Sequence, residues 1–358
     1  MKKGKKKISA RARCEYKNGF SDNLKPLSPL DLSKVKSVND LVTQMGKTSF
    51  GGRSIGEAAD LLYKMAADRD CFVVLTLSGA LTVAKMGLVI CDLIDNGIVN
   101  AVVSTGAIMA HGFVESAGMS HFKYEGHLSD EQLYKGGYNR IYDTVELEKN
   151  LDDAEAIFKI ILDDVDKDTL LSSRFLNERL GEYLAKNSKE RGILKSAYTR
   201  KVPVYIPAFT DSELGLNLGI YNRRLKSKTK RAFAFDPFLD LEDFTKIIKK
   251  ERVTGIFTVG GGVPRNWAQQ VGPYLDIIQK RLKSGGYFKR YRYGVRICPE
   301  PAHWGGLSGC TYSEGISWGK FTPPGEGGRC AEVYADATIA LPLITKAVLE
   351  RLKITPTR

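Results

Sequence analysis

Cys71-Phe-Val-Val-Leu-Thr-Leu-Ser-Gly-Ala80 is an apolar run of strand length that stops at a serine and a glycine. Val83–Ile94 follows with helical spacing, and Ile55, Ala58, Ala59, Leu62 and Met65 before it fall on one helical face. Taken whole, residues 71–94 are apolar enough to suggest a membrane span. Ser78, Gly79, Lys85 and Asp92 interrupt them, so a strand–turn–helix unit is the better reading and no membrane partner is expected.

The same rhythm extends outward. Apolar runs of strand length recur at Ala101–Ser104, Val202–Pro207, Thr254–Val259, Tyr293–Cys298 and Ala331–Tyr334. Helical patterns separate them at 152–163, 241–250, 264–282 and 338–352. Short apolar strands alternating with helices predict an α/β fold, a doubly wound parallel sheet covered on both faces. Residues 1–50 have no sustained period and read as a basic N-terminal arm, partly disordered or with one short helix; residues 51–358 read as the folded unit. Residues 120–150 are the longest stretch expected to be irregular.

The chain of 358 residues has a formal net charge of +13, which first suggests nucleic acid. The excess is local. Residues 1–13 carry seven bases and no acid, 223–231 six, and 280–296 seven. Without those twenty, 34 bases face 41 acids, a net charge of −7, so a basic catalytic body is excluded. The last cluster interleaves Tyr287, Phe288, Tyr291 and Tyr293 with arginines, as RNA-binding faces do. That leaves a catalytically silent RNA- or ribosome-associated protein as the competing reading, although solvated charged faces remain the plainer one. Six cysteines without a CxxC pair and four histidines without ligand spacing predict free thiols and no metal. The basic start leads into no apolar segment, so a cytoplasmic location is expected.

In such sheets, ligands sit beyond the carboxyl ends of the strands. Three strands end in small residues: Thr76-Leu-Ser-Gly-Ala80, Ser104-Thr-Gly-Ala107 and Thr258-Val-Gly-Gly-Gly262. Bare peptides there can approach a phosphate or ribose, or can simply be tight turns. Further on, Lys320 follows Trp318 and Gly319. An aromatic wall that excludes water would depress a lysine for Schiff-base chemistry, whereas a surface lysine lying beside a tryptophan would do nothing.

Ile316-Ser-Trp-Gly-Lys-Phe321, followed by Val333-Tyr-Ala-Asp-Ala337, resembles the active-site lysine block of the deoxyhypusine synthase family, shared with homospermidine synthase. Gly137-Tyr-Asn-Arg-Ile141, Pro203-Val-Tyr-Ile-Pro-Ala-Phe-Thr-Asp211 and Gly260-Gly-Gly-Val263 agree in order. The resemblance implies a Rossmann-like enzyme, usually a homotetramer, with NAD as cofactor. It also implies transfer of an aminobutyl group from a spermidine-like polyamine, through an imine on Lys320, to an acceptor amine. That acceptor is a lysine of the hypusine-pathway translation factor, or putrescine in homospermidine synthesis. Nucleic acid is then not the expected partner.

By the same resemblance, Glu314 and Trp318 line the polyamine channel. Gly79, Ala80, Leu81, Thr82, Val83, Thr105, Gly106, Ala107, Asp211, Gly261, Asp336 and Ala337 surround NAD. The chain departs from eukaryotic members at three places. Ala110-His111 stands where a Glu-Glu pair is usual, Asn266 replaces the channel histidine, and Leu216 replaces an acid. His111 and Asn266 are therefore carried as substrate-binding candidates, and the identity of the donor stays open.

Overall fold

The computed structural model describes residues 16–284 and 287–353. Six strands form the main sheet: β1 (Cys71–Leu77), β2 (Ala101–Ser104), β6 (Val204–Tyr205), β7 (Val253–Val259), β8 (Tyr293–Ile297) and β9 (Arg329–Val333). All pair in parallel, in the order β6-β2-β1-β7-β8-β9. The predicted α/β class is the observed one. Val73, Leu75 and Leu77 of β1 join one apolar cluster, while Val74 joins another with Ala101, Val103 and Ile256. Apolar residues at both parities are what a sheet buried on both faces requires.

The helices in chain order are α1 (Val38–Met45), α2 (Phe50–Ala67), α3 (Gly87–Asp95), α4 (Gly106–Ser116), α5 (Asp130–Lys135), α6 (Glu148–Asp163) and α7 (Ser173–Asn187). After them come α8 (Ile193–Arg200), α9 (Glu213–Thr229), α10 (Pro237–Lys250), α11 (Gly262–Gln269), α12 (Val271–Leu282), α13 (Tyr312–Ser317) and α14 (Ala337–Arg351). One face of the sheet is covered by α2, α3 and α14 among others, through Ala58, Leu62, Ile90 and Ile344. The other receives α10, α11 and α12 through Phe244, Ala268, Val271 and Leu275, together with Tyr312 and Phe321.

Three boundaries differ from the sequence pattern. The helix predicted over 83–94 begins only at Gly87, because Lys85 takes a positive φ of 63° and breaks the first turn. The single helix predicted over 264–282 is two, joined at Gln270. Residues 120–150 are not irregular: β3 (Phe122–Lys123), β4 (Tyr138–Ile141) and β5 (Thr144–Leu147) form a small antiparallel sheet of order β3-β5-β4. Ser129 and Gln132 close a capping box on α5 beside it.

Within 16–50, α1 is tied to α14: the Asn39 amide donates to Glu350 at 2.8 Å, and Arg351 reaches Asn39, Asp60 and Thr43. The basic cluster at 1–13 lies outside the described residues. Among the described residues, no helix is long and apolar enough to cross a membrane.

Candidate active site

Chain direction changes side between β1 and β7: β2 and β6 lie on one side of β1, and β7, β8 and β9 on the other. Such a switch point opens a crevice at the strand ends. Here the two glycine-tipped ends are stitched together. The Gly261 amide donates to Ser78 Oγ at 2.7 Å, and the Ser78 amide to Val259 O at 3.0 Å. Gly260 has φ +87°, and a Cβ on it would come within 2.1 Å of Ser78 Oγ, so only glycine fits. Gly79 has φ +83° and nothing within 4 Å of where its Cβ would lie. The side of Gly79 that would carry a side chain faces open space.

The other predicted cofactor positions divide. Leu81, Thr82 and Val83 turn inward and are buried, the Thr82 hydroxyl donating to Ile108 O at 3.0 Å. Ala80 is exposed and Ala107 half-buried. At the tip of β2, Thr105 Oγ1 is buried with no hydrogen-bond partner among the described residues. A Cβ on Gly106 would meet Ser212 Oγ at 2.3 Å, so the loop carrying the exposed Asp211 packs against this tip. Asp336 lies at the carboxyl end of edge strand β9 and caps α14, accepting from the Thr338 amide at 2.7 Å, with Ala337 opening the helix. Four strand ends thus bring Ser78–Ala80, Thr105–Ala107, Asp211 and Gly261 to one side of the sheet, with Asp336 at its margin.

Lys320 lies below this rim. Its carbonyl accepts from the Tyr291 amide at 3.0 Å, fixing the chain just before β8. Its side chain is buried, and Nζ donates to Asn266 Oδ1 at 2.9 Å. Asn266 is on α11, four residues past Gly262, so the amine is held about one helical turn from the triple glycine. Burial, aided by the Arg265 guanidinium, pushes the Lys320 ammonium below the ordinary lysine range. The expected cause needs correcting. Trp318 is 66% exposed in this chain, with Lys320 Nζ 5.9 Å from its ring centroid, so the tryptophan is an outer wall. The inner wall is built from Tyr312, Phe321 and Tyr291, all buried. Glu314 is exposed on α13, and its amide donates to the Thr311 cap at 3.2 Å.

Two further residues shape the site without having been anticipated. Arg296 of β8 is fully buried, and its Nη1 donates to Ser308 O at 2.7 Å and Cys310 O at 3.0 Å. Its Nη2 pairs with Glu332, directly opposite on β9, and reaches Tyr334 OH at 3.2 Å. Glu332 Oε1 accepts from the Tyr312 amide at 2.9 Å, the first residue of α13. This pair anchors the loop and helix that deliver Glu314, Trp318 and Lys320. A lone Arg and a lone Glu inside two apolar strands were the available signal.

His111 follows a different course from the other candidates. Its Nδ1 lies 2.6 Å from Glu146 Oε2 of β5, and His121 Nε2 lies 3.4 Å from Oε1 of the same carboxylate. Burial works against the charge of Glu146, but His111 and His121 outweigh it and hold the carboxyl down at about 2. It is an ionised carboxylate throughout the physiological range.

A family model described as deoxyhypusine synthase matches residues 40–348. The chain belongs to the deoxyhypusine synthase family. It is a transferase of the deoxyhypusine synthase type. It is 34% identical over 337 residues to "Probable deoxyhypusine synthase 2" of Methanosarcina acetivorans, covering 94% of this chain and 92% of that one. The "Deoxyhypusine synthase-like protein" of Chlorobaculum parvum is 32% identical, covering 93% and 91%. The crystal structure titled a "putative deoxyhypusine synthase from Entamoeba histolytica" superposes with a TM-score of 0.57 at 14% identity, covering 90% of this chain and 96% of that one, and agrees in fold.

In this deoxyhypusine synthase family member the cluster at 280–296 is not one aromatic face. Tyr291 and Tyr293 are core residues, while Tyr287 and Phe288 are exposed and stacked under Lys249 and Arg290. The 223–231 cluster runs along the end of α9, where Lys226 and Lys228 meet the negative end of the helix dipole.

Proposed function

We propose that this chain moves an aminobutyl group from a spermidine-like polyamine to an acceptor amine through an imine on Lys320. The carrying observation is the buried Lys320 amine, depressed by its surroundings and aimed by Asn266. A neutral amine attacks an imine carbon, and burial favours the neutral form. Donor and acceptor exchange by transimination: as each new C–N bond forms at the carbon, the previous amine leaves with the proton taken from the incoming one.

A bound NAD would supply the hydride acceptor for the donor carbon and the hydride donor for the product. The residues that fit it are Gly79, with open space beside its Cα, Thr105, with its unpartnered hydroxyl, and Gly106, Gly261 and Asp211 around them. Trp318 and Glu314 stand at the outer side of the lysine, where a ring face and a carboxylate suit a polyammonium chain. We carry the homotetramer, the cytoplasmic location and a catalytic unit over 51–358 as parts of the same proposal.

The acceptor is decided by one experiment. Purified protein is incubated with NAD and spermidine, with either putrescine or the lysine-bearing translation factor added, and the products are separated by chromatography. New homospermidine identifies putrescine as acceptor; labelled protein identifies the translation factor. With neither product, and no consumption of spermidine, the aminobutyl proposal falls.

A further inference from the structure

His111 in the second turn of α4, His121 just before β3 and Glu146 on β5 come from three elements and meet in one place. Their side chains are 14%, 0% and 1% accessible. The facing atoms are close, yet they are not joined by directed hydrogen bonds. His111 Nδ1, His121 Nε2 and both oxygens of Glu146 are shut away from solvent with no hydrogen-bond partner among the described residues. The short Nδ1–Oε2 approach therefore misses the N–H direction of the ring. One such atom from each of the three residues lies within 4.8 Å of the others. Other buried atoms of the chain also lack partners, but only here among the described residues do two imidazoles and a carboxylate do so together, a donor set that a cation would satisfy.

We propose that His111, His121 and Glu146 hold a divalent transition-metal ion. All three donor atoms lie within 4.8 Å of one another, and small shifts bring them into a shared coordination sphere. Two imidazoles and a carboxylate select zinc, iron(II), cobalt(II) or nickel(II) over magnesium or calcium, which take oxygen ligands. Three protein ligands leave a position for water or a small ligand. When His121 ligates through Nε2, its Nδ1 carries the proton. Glu115 Oε1, 3.9 Å away, is a carboxylate that would receive it after closing to hydrogen-bond distance.

One arrangement competes. Lys85 Nζ lies 3.1 Å from His121 Nδ1 and also pairs with Glu115. Donation from Lys85 would put the ring proton on Nε2 and turn the cluster into a metal-free triad. Lys85 is half-exposed and can swing into solvent, whereas the three proposed ligands cannot leave. The site would fasten the small sheet to α4, the helix that starts at the tip of β2. The inference is independent of the reading of Lys320, and its test uses no activity measurement.

Full-length protein is purified without chelators or immobilised metal, and its metal content is measured by plasma mass spectrometry. It is then stripped with a chelator and titrated with Co²⁺, following the visible absorption, and with Zn²⁺, following thermal unfolding. The expected result is about one equivalent per chain, a visible Co²⁺ spectrum and a rise in Tm with Zn²⁺. Glu146→Gln and His121→Asn should lose all three responses, and Glu115→Gln should weaken binding by about 10–100-fold. If His121→Asn does not fold, His111→Asn, at the edge of the cluster, makes the same comparison. Stripped wild-type protein that keeps its circular dichroism, takes up no Co²⁺ and unfolds at an unchanged temperature with Zn²⁺ would overturn the proposal and leave the Lys85-bonded triad.

Discussion

Arg296–Glu332 and His111–Glu146–His121 are both buried charged clusters, and they are closed in different ways. The guanidinium spends its Nη donors on two carbonyls, a carboxylate and a tyrosine hydroxyl, and the carboxylate passes on to the Tyr312 amide. Opposite charges directly across β8 and β9 have rigid backbones to hold them. The histidine cluster has the charge but lacks the directed bonds. The first cluster is paired through both Nη atoms and both carboxylate oxygens, leaving Arg296 Nε without a partner among the described residues, and can act as scaffold for Lys320. The second is complete only with something added. Burial by itself therefore does not distinguish a structural ion pair from a ligand site; hydrogen-bond direction does.

The closed cluster serves Lys320, so the comparison is tested most severely there. Lys320→Arg keeps a cation but cannot form the imine, and aminobutyl transfer should fall by at least about 10³-fold with the fold intact. Retained turnover would remove the reason for the scaffold. Next in size, Glu332→Ala strands Arg296 in the core, and unfolding in denaturant should report a loss of about 3–5 kcal/mol. A loss under about 1 kcal/mol would mean that Arg296 finds other partners and that the contrast between the clusters is false.

Smaller effects sharpen the picture. Asn266→Ala removes the acceptor for Lys320 Nζ and should lower kcat about tenfold, with single-turnover imine formation slowed equally. The pH dependence is smaller still. The ammonium of Lys320 is held down by burial and by Arg265, so imine formation should rise with pH and reach half its maximum below the ordinary lysine value. Arg265→Met removes a like charge, which should move that half-point upward. A half-point that is unmoved, or that moves down, would show that Arg265 does not act on the lysine.

Much of this was readable in the sequence. Apolar runs at 71–77, 101–104, 254–259 and 293–298 announced strands because both faces of the sheet are buried. The helices α7, α8 and α9 were harder, since their apolar stripes are diluted by charged residues on the solvent side. The small sheet escaped because its strands are only two to four residues long and carry Tyr, Asn, Arg, Thr and a buried Glu in place of an apolar run. At the site, Lys320 and Trp318 stood out as a motif, but the burial of one and exposure of the other did not. The histidine cluster had no local signature at all. His111, His121 and Glu146 are brought together only when β5 folds back against α4, and no spacing rule reaches across that path.

The central claim is that the Lys320 amine carries the transferred fragment. Protein incubated with NAD and spermidine is reduced with borohydride, digested and analysed by mass spectrometry. The account predicts that the peptide containing Lys320 gains the mass of one reduced aminobutyl group, in a spermidine-dependent manner. An unmodified Lys320 peptide, under conditions where spermidine is being consumed, would contradict it.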